Sequence, residues 1–215
     1  AAFNAPLAGV IFALEELHRN FSIMVLLPSM AAAFTATIIS RAIFGRATIF
    51  DIPDLQLLPI SYYGIVILVA LASGLAGVIF NWGLLNIGRF YSLPCFKRPV
   101  QKIAFALICA GILGYFLPEV LGGGNDLINH LAKAPVSLQL LLIFLAGKLI
   151  FTLISYGCGV PGGFFLPMLV IGALCGSICA QMLIMLGWIE PAYATNIMVV
   201  AICLLYTSPS PRDTR

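Results

Sequence analysis

The strongest constraint on this chain is a set of long apolar stretches without charged side chains. Ser61–Gly88 runs for about 28 residues without a charge, and Phe164–Trp188 carries none either. A helix that crosses a bilayer needs about 20 consecutive apolar residues. Three further stretches have nearly the same character: Phe21–Ser40, Ile103–Leu117 with a start as early as Pro99, and Val136–Tyr156, which carries one charge. The sequence therefore predicts five long membrane helices.

The composition excludes a soluble fold of this size. Charged residues make up 9% of the chain and apolar residues 61%, whereas a soluble domain carries about a quarter charged residues. Most of the surface must therefore face the lipid bilayer. The net charge of +3 is small, and no basic tract with interleaved aromatics is present, so we predict no nucleic-acid partner.

Two apolar or amphipathic segments, Ala5–Leu14 and Gly123–Ala134, are too short to cross a bilayer. Such segments are typical of half-helices that enter the membrane without spanning it. The Gly-rich run Leu121–Asp126 predicts a tight turn outside the membrane, with the short helix beginning at Asn125. The fold class that these patterns indicate is an all-α, multi-pass integral membrane protein with tilted and broken helices.

Loop charges predict the orientation of the spans. The loop 89–102 contains four basic residues and no acid. The positive-inside rule places this loop in the cytoplasm. Residues 46–60 then lie outside, and residues 15–20 lie inside.

The segment Gly157–Pro167 contains four glycines and two prolines between two apolar spans. Unpaired backbone at membrane depth costs several kcal/mol per group, so it persists where it lines a cavity or binds a ligand. The amides of a helix that starts after Gly163 lie at the positive end of its dipole. Since the segment has no basic side chain, it favours a small anion held by backbone N–H groups. The alternative is a Gly-Pro hinge between two helices.

Glu15 and Glu16 end the short apolar segment that follows Ala5. A partly desolvated carboxylate has a raised pKa and can exchange protons, so one of them is a candidate proton site. Adjacent helical residues point about 100° apart, and at most one of the two faces inward. The alternative is that both are solvated among the lipid headgroups.

Lys148 is the one charged residue in Val136–Tyr156. We interpret it as snorkelling or as pairing with carbonyls at a helix C-terminus; the alternative is electrostatic support that draws anions toward the Gly-rich break.

Cys175 and Cys179 are one turn apart, but no His or second Cys pair completes a metal site. Since no nucleophile with a base stands out either, we predict neither a metal nor an enzyme.

The two ends of the sequence stand apart from the rest. The chain starts at Ala1 without an initiator Met, as if within a longer protein, and the apolar stretch Ala192–Ile202 passes after about a dozen residues into a polar, Pro-rich end. We interpret Cys203–Arg215 as a non-native tail that resembles translated read-through of a sequencing adapter. The alternative is a disordered polar tail. The membrane domain is then 1–202.

The motifs Ala2–Gly9 with Leu14–Glu16, and Gly159–Pro167, resemble those of the CLC family of chloride channels and proton-coupled chloride transporters. The Gly122–Gly124 turn and the basic residue Lys148 fit the same pattern. The resemblance implies tilted, broken helices in two inverted halves, truncated here at both ends. It also implies a homodimer with one pore per subunit.

The resemblance also implies the chemistry of the site. Chloride, the transported ligand, is bound in the family by backbone amides of the motif that Gly159–Pro167 resembles, which gives Gly162, Gly163, Phe164 and Phe165 as the anion-binding residues. Glu16 matches the proton-transfer glutamate of the transporters, where the channels usually have an apolar residue. The expected function is therefore chloride transport in exchange for protons, without a further cofactor. The alternatives are a passive chloride channel of the same family and a structural membrane subunit. The family's first motif, its gating glutamate and its late helices have no match in this sequence.

Overall fold

The computed structural model of this chain describes residues 5–18, 22–45, 55, 57–93, 96, 98–134, 136–160 and 165–206. Every regular element in these ranges is helical. The chain divides into two compact units, Ala1–Asp51 and Ile52–Arg215. Each unit is described separately below.

The first unit contains two helices joined by a wider turn. Helix α1 (Pro6–Phe12) begins on a proline, whose missing N–H is not needed in a first turn. It continues as a π-helical turn, Ala13–His18, rather than as the α-helix predicted to Leu14. Helix α2 (Ile23–Phe44) is long enough to cross a membrane and packs against α1.

The second unit contains six α-helices and three short 3₁₀ turns among its described residues. The α-helices are α3 (Tyr63–Phe90), α4 (Pro99–Phe116), α5 (Asn125–Lys133), α6 (Leu138–Gly157), α7 (Phe165–Met185) and α8 (Ala194–Tyr206). The 3₁₀ turns are Ile60–Tyr62, Pro118–Val120 and Pro191–Tyr193. Helices α2, α3, α4, α6 and α7 are the five described helices with the length and apolar character of membrane spans.

Helix α7 lies at the centre of the second unit and packs against α3, α5, α6 and α8. In its most apolar 18-residue window, 61% of the residues are buried, against 0% in α4. Gly172 and Gly176 bring α8 close, because a Cβ atom at Gly176 would lie 2.6 Å from the Cα of Met198. Small residues of this kind let helix backbones approach in a membrane.

The five long helices confirm the predicted spans to within a few residues, and α4 does start at Pro99. The predicted start of the short helix at Asn125 is also confirmed. Helix α8 ends at Tyr206 and so includes four residues of the stretch 203–215. Residues 207–215 lie outside the described ranges, and the interpretation of 203–215 as a non-native tail stays a prediction.

The Gly122–Gly124 turn lies beside α6, and its predicted place outside the membrane stays a prediction. The turn is bonded to Lys148, which is ten residues from the start of α6 and nine from its end. At 1.5 Å per residue, this contact lies about 15 Å along α6. The turn is therefore level with the middle of a membrane-length helix, because a buried lysine pairs with its carbonyls there.

Candidate functional site

The Gly-rich break lies between the C-terminal end of α6 and the N-terminal end of α7. Helix α6 ends at Gly157, and Gly159 has a φ of +83°, a left-handed conformation that suits glycine. Phe165 is the first residue of α7. The other three predicted anion-binding residues, Gly162, Gly163 and Phe164, lie outside the described ranges.

Hydrogen-bond donors contact the carbonyls in the last turn of α6. A helix leaves its last four carbonyls without intrahelical partners. The Tyr91 hydroxyl donates to the Ile154 carbonyl at 2.9 Å, and the Cys158 thiol donates to the Ser155 carbonyl at 2.9 Å. The Gly159 N–H donates to the Tyr156 carbonyl at 3.4 Å. Three of the four carbonyls that point toward the break thus accept a hydrogen bond.

Tyr91 follows α3 and is buried, with 2% of its surface exposed. Its ring lies against Gly157, where a Cβ atom would come within 2.6 Å of the Tyr91 Cε2 atom. Burial, followed by the nearby thiols of Cys158 and Cys109, raises the pKa of Tyr91 to about 12. The phenol therefore keeps its proton and acts as a donor at physiological pH.

Lys148 is buried in α6, with 1% of its surface exposed. Its Nζ atom donates to the Val120 carbonyl at 2.9 Å and to the Gly122 carbonyl at 2.8 Å. This is the geometry of carbonyl pairing rather than of snorkelling, because a snorkelling lysine exposes its ammonium to water.

The Gly122–Gly124 turn lies against the start of α7. A Cβ atom at Gly123 would lie 3.1 Å from Leu166 Cδ2, and one at Gly124 would lie 2.6 Å from Val170 Cγ2. The structure thus brings Lys148 and the first two turns of α7, which contain Phe165, against the same glycine turn.

Glu16 belongs to the first unit, in the π-helical turn Ala13–His18, and its side chain lies outside what the structure describes. Its neighbours differ sharply, since Leu14 is 4% exposed and Glu15 is exposed. π-Helical turns are rare and often occur at functional sites. The role of Glu16 in proton transfer stays a prediction.

Sequence reasoning did not single out Tyr91. A tyrosine next to a basic loop at the end of an apolar helix is what an aromatic belt predicts, and such residues are common. Its partner, Ile154, is 63 residues away, so no local pattern connects the two. In the described ranges, no three His, Cys, Asp or Glu side chains gather closely enough to hold a metal ion.

The helices and the break define a class of protein. The chain is a multi-pass integral membrane protein with an all-helical fold, in which a Gly-Pro break separates two membrane-length helices. The sequence profile described as "Voltage gated chloride channel" matches residues 1–208. The chain belongs to this family, the CLC family.

Curated relatives support the family assignment. The chain is 35% identical over 185 residues to a protein of Citrobacter koseri named H(+)/Cl(-) exchange transporter ClcA, a match that covers 82% of this chain and 38% of the relative. A Vibrio cholerae protein of the same name is 32% identical over 182 residues, with 82% and 39% covered. The chain thus spans about two fifths of the length of these relatives.

Solved structures show the same fold. A slow cyanobacterial Cl-/H+ antiporter is similar with a TM-score of 0.78 and 26% identity, over 96% of this chain and 53% of that chain. A CLC-type fluoride/proton antiporter is similar with a TM-score of 0.67 over 95% of this chain and 58% of that chain; at 23% identity, this likeness concerns the fold alone. The predicted CLC architecture is confirmed.

Proposed function

We propose that the complete protein containing this chain moves chloride across a membrane in exchange for protons. The observation that carries the proposal is the start of α7 at Phe165, directly after the Gly-Pro break, in a chain of the CLC family. The relatives named as H(+)/Cl(-) exchange transporters support exchange over passive conduction.

In this proposal, the backbone amides of Gly162, Gly163, Phe164 and Phe165 bind chloride. The 21 residues of α7 direct the positive end of the helix dipole toward the break. The negative end of α6 faces the same break, and its carbonyls would repel an anion. Donors from Tyr91, Cys158 and Gly159 occupy three of these carbonyls, which favours an anion there over a cation. Chloride is the transported ligand, and no other cofactor is proposed.

Glu16 is the proposed proton-transfer residue, on the strength of the motif that precedes it. Its neighbour Glu15 is exposed, whereas Glu16 is the one that matches the proton-transfer position of the family's transporters. The same turn thus contains a test residue and a matched control.

The test is proton movement in liposomes that contain the complete protein and carry a chloride gradient. We expect the wild type to pump protons against their gradient as chloride flows. Glu16→Gln should abolish proton movement and leave chloride flow, while Glu15→Gln should keep both. Chloride flow without proton movement in the wild type would identify a passive channel instead.

Measuring halide binding distinguishes a transporter from a structural subunit in which the break is a Gly-Pro hinge. We expect chloride to bind the wild type and binding to disappear in Gly163→Leu, whose side chain would fill the approach to the amides. If the wild type binds no halide, the break is a hinge.

We also propose a homodimer and a cytoplasmic loop 89–102. Arg89, Arg98 and Lys102 carry the charge asymmetry that supports this orientation. A cysteine placed at exposed Ser92 in a background without Cys95 should react with an impermeant thiol reagent from the cytoplasmic side. Reaction from the outside would mean that the topology is reversed.

Light scattering of the purified protein tests the homodimer and should give twice the monomer mass.

A further inference from the structure

Among the described residues, Lys148 is the largest side chain that is completely buried. Placing a charge in a low-dielectric interior costs several kcal/mol unless partners compensate it. The partners here are two backbone carbonyls, Val120 at 2.9 Å and Gly122 at 2.8 Å. Hydrogen bonds from an ammonium are about twice as strong as neutral ones, so the lysine and the turn hold each other in place.

Backbone hydrogen bonds hold the two ends of the turn, since the Leu121 N–H donates to the Pro118 carbonyl at 3.2 Å and the Ile128 N–H donates to the Gly124 carbonyl at 3.1 Å. Gly122 and Gly124 have φ angles of +66° and +81°, and three successive glycines provide no side chain to pack. The ammonium also lies close to Gly124, since a Cβ atom there would be 3.2 Å from Nζ. Lys148 therefore provides the hydrogen bonds that hold the turn backbone against α6.

The same turn also supports α7. Leu166 rests on Gly123, and Val170 rests on Gly124 with both of its methyl groups, at 2.6 and 3.3 Å from a Cβ position. Leu166 is the second residue of α7 and follows Phe165 directly. Packed interiors transmit small displacements, so a shift of the turn displaces the first turn of α7.

We propose that Lys148 is a positioning residue that acts through the Gly122–Gly124 turn to hold the N-terminal end of α7 in its anion-binding position. This inference rests on the proposed function, which places chloride at that end. It differs from direct electrostatic attraction, because the lysine acts on the anion through the turn and the side chain of Leu166.

The experiment titrates chloride into the purified complete protein by calorimetry. We expect Lys148→Met, which keeps the length of the side chain but no donor, to weaken chloride binding about tenfold, the order found when a residue that orients a ligand-holding group is removed. The matched control is Lys133→Met, at an exposed lysine of α5, which should bind chloride as the wild type does.

A second variant tests the route through the turn. Leu166→Ala keeps the lysine and its charge but removes the side chain that rests on Gly123. We expect weaker chloride binding again, and in the double variant Lys148→Met/Leu166→Ala a loss smaller than the product of the two single losses, because both act through one contact.

The outcomes separate the two proposals. A wild type that binds no chloride refutes the proposed function. A wild type that binds chloride, together with a folded Lys148→Met variant of unchanged affinity, overturns the positioning role alone. Independent, multiplying losses in the double variant would also overturn it. If Lys148→Met does not fold, an unchanged affinity in folded Leu166→Ala overturns the proposal.

Discussion

The bond between Tyr91 and the end of α6 gives the sharpest test of how the break is built. Tyr91→Phe removes the donor for the Ile154 carbonyl at 2.9 Å and keeps the ring that packs against Gly157. The residue is 2% exposed and its hydrogen bond is partly buried, so water has limited access to the Ile154 carbonyl. Losing one partner of a buried hydrogen bond costs about 1–3 kcal/mol. We expect a loss of about 2 kcal/mol in the free energy of unfolding, which is roughly a thirtyfold change in the equilibrium constant.

The assay is equilibrium unfolding of the complete protein in mixed detergent micelles, followed by tryptophan fluorescence. The matched control is Tyr115→Phe, at a tyrosine that is 83% exposed at the end of α4, where a surface substitution changes stability by less than about 0.5 kcal/mol. Equal stability of the two variants would refute the reasoning. It would mean that the Ile154 carbonyl finds another donor, and that Tyr91 does not hold the end of α6.

Three further predictions concern the titration of Tyr91, the packing of α7 on α8 and chloride flux by this chain alone. Titration of Tyr91 should lower the free energy of unfolding between pH 10 and pH 12. The pKa of Tyr91 is raised to about 12 in the folded protein, against 10 in the unfolded chain, so its contribution to stability is complete below pH 10 and is lost as the pH rises through 12. Tyr91→Phe should therefore flatten this part of the pH profile. Gly176→Ala should destabilise the packing of α7 on α8 by about 1–3 kcal/mol, because its Cβ atom would lie 2.6 Å from the Met198 backbone; Gly74→Ala, which meets nothing within 4 Å, should not, and equal melting temperatures would contradict the contact. The 215-residue chain alone should give no chloride flux in liposomes, and robust flux would contradict the proposal that a longer protein completes the pathway.

Much of the fold could be predicted from the sequence, because a bilayer leaves few choices. Each span must satisfy its own backbone, and a helix does so within one segment. The stretches Ser61–Gly88 and Val136–Tyr156 therefore matched α3 and α6 closely. The short helix at Asn125 could be predicted as well, because the glycines before it end one element and allow the next to start.

The site could be predicted in part. The glycines and prolines of 157–167 indicated the break, and the helix after it does begin at Phe165. The place of the glycine turn beside the middle of α6 could not be predicted, because a run of glycines looks the same at a membrane surface and beside the middle of a helix. The contact between Lys148 and Gly122, which gives this place, spans 26 residues of sequence.

The sequence by itself determined the membrane class, the positions of the helices and the place of the Gly-rich break. These follow from local properties, namely the length of apolar stretches and the effect of glycine and proline on a helix. Only the tertiary structure decided that α7 is central and α4 peripheral, that Lys148 pairs with a turn, and that Tyr91 holds the end of α6. In a membrane, lipid-facing and protein-facing surfaces are both apolar, so hydropathy cannot tell which helix is enclosed or which buried polar groups meet.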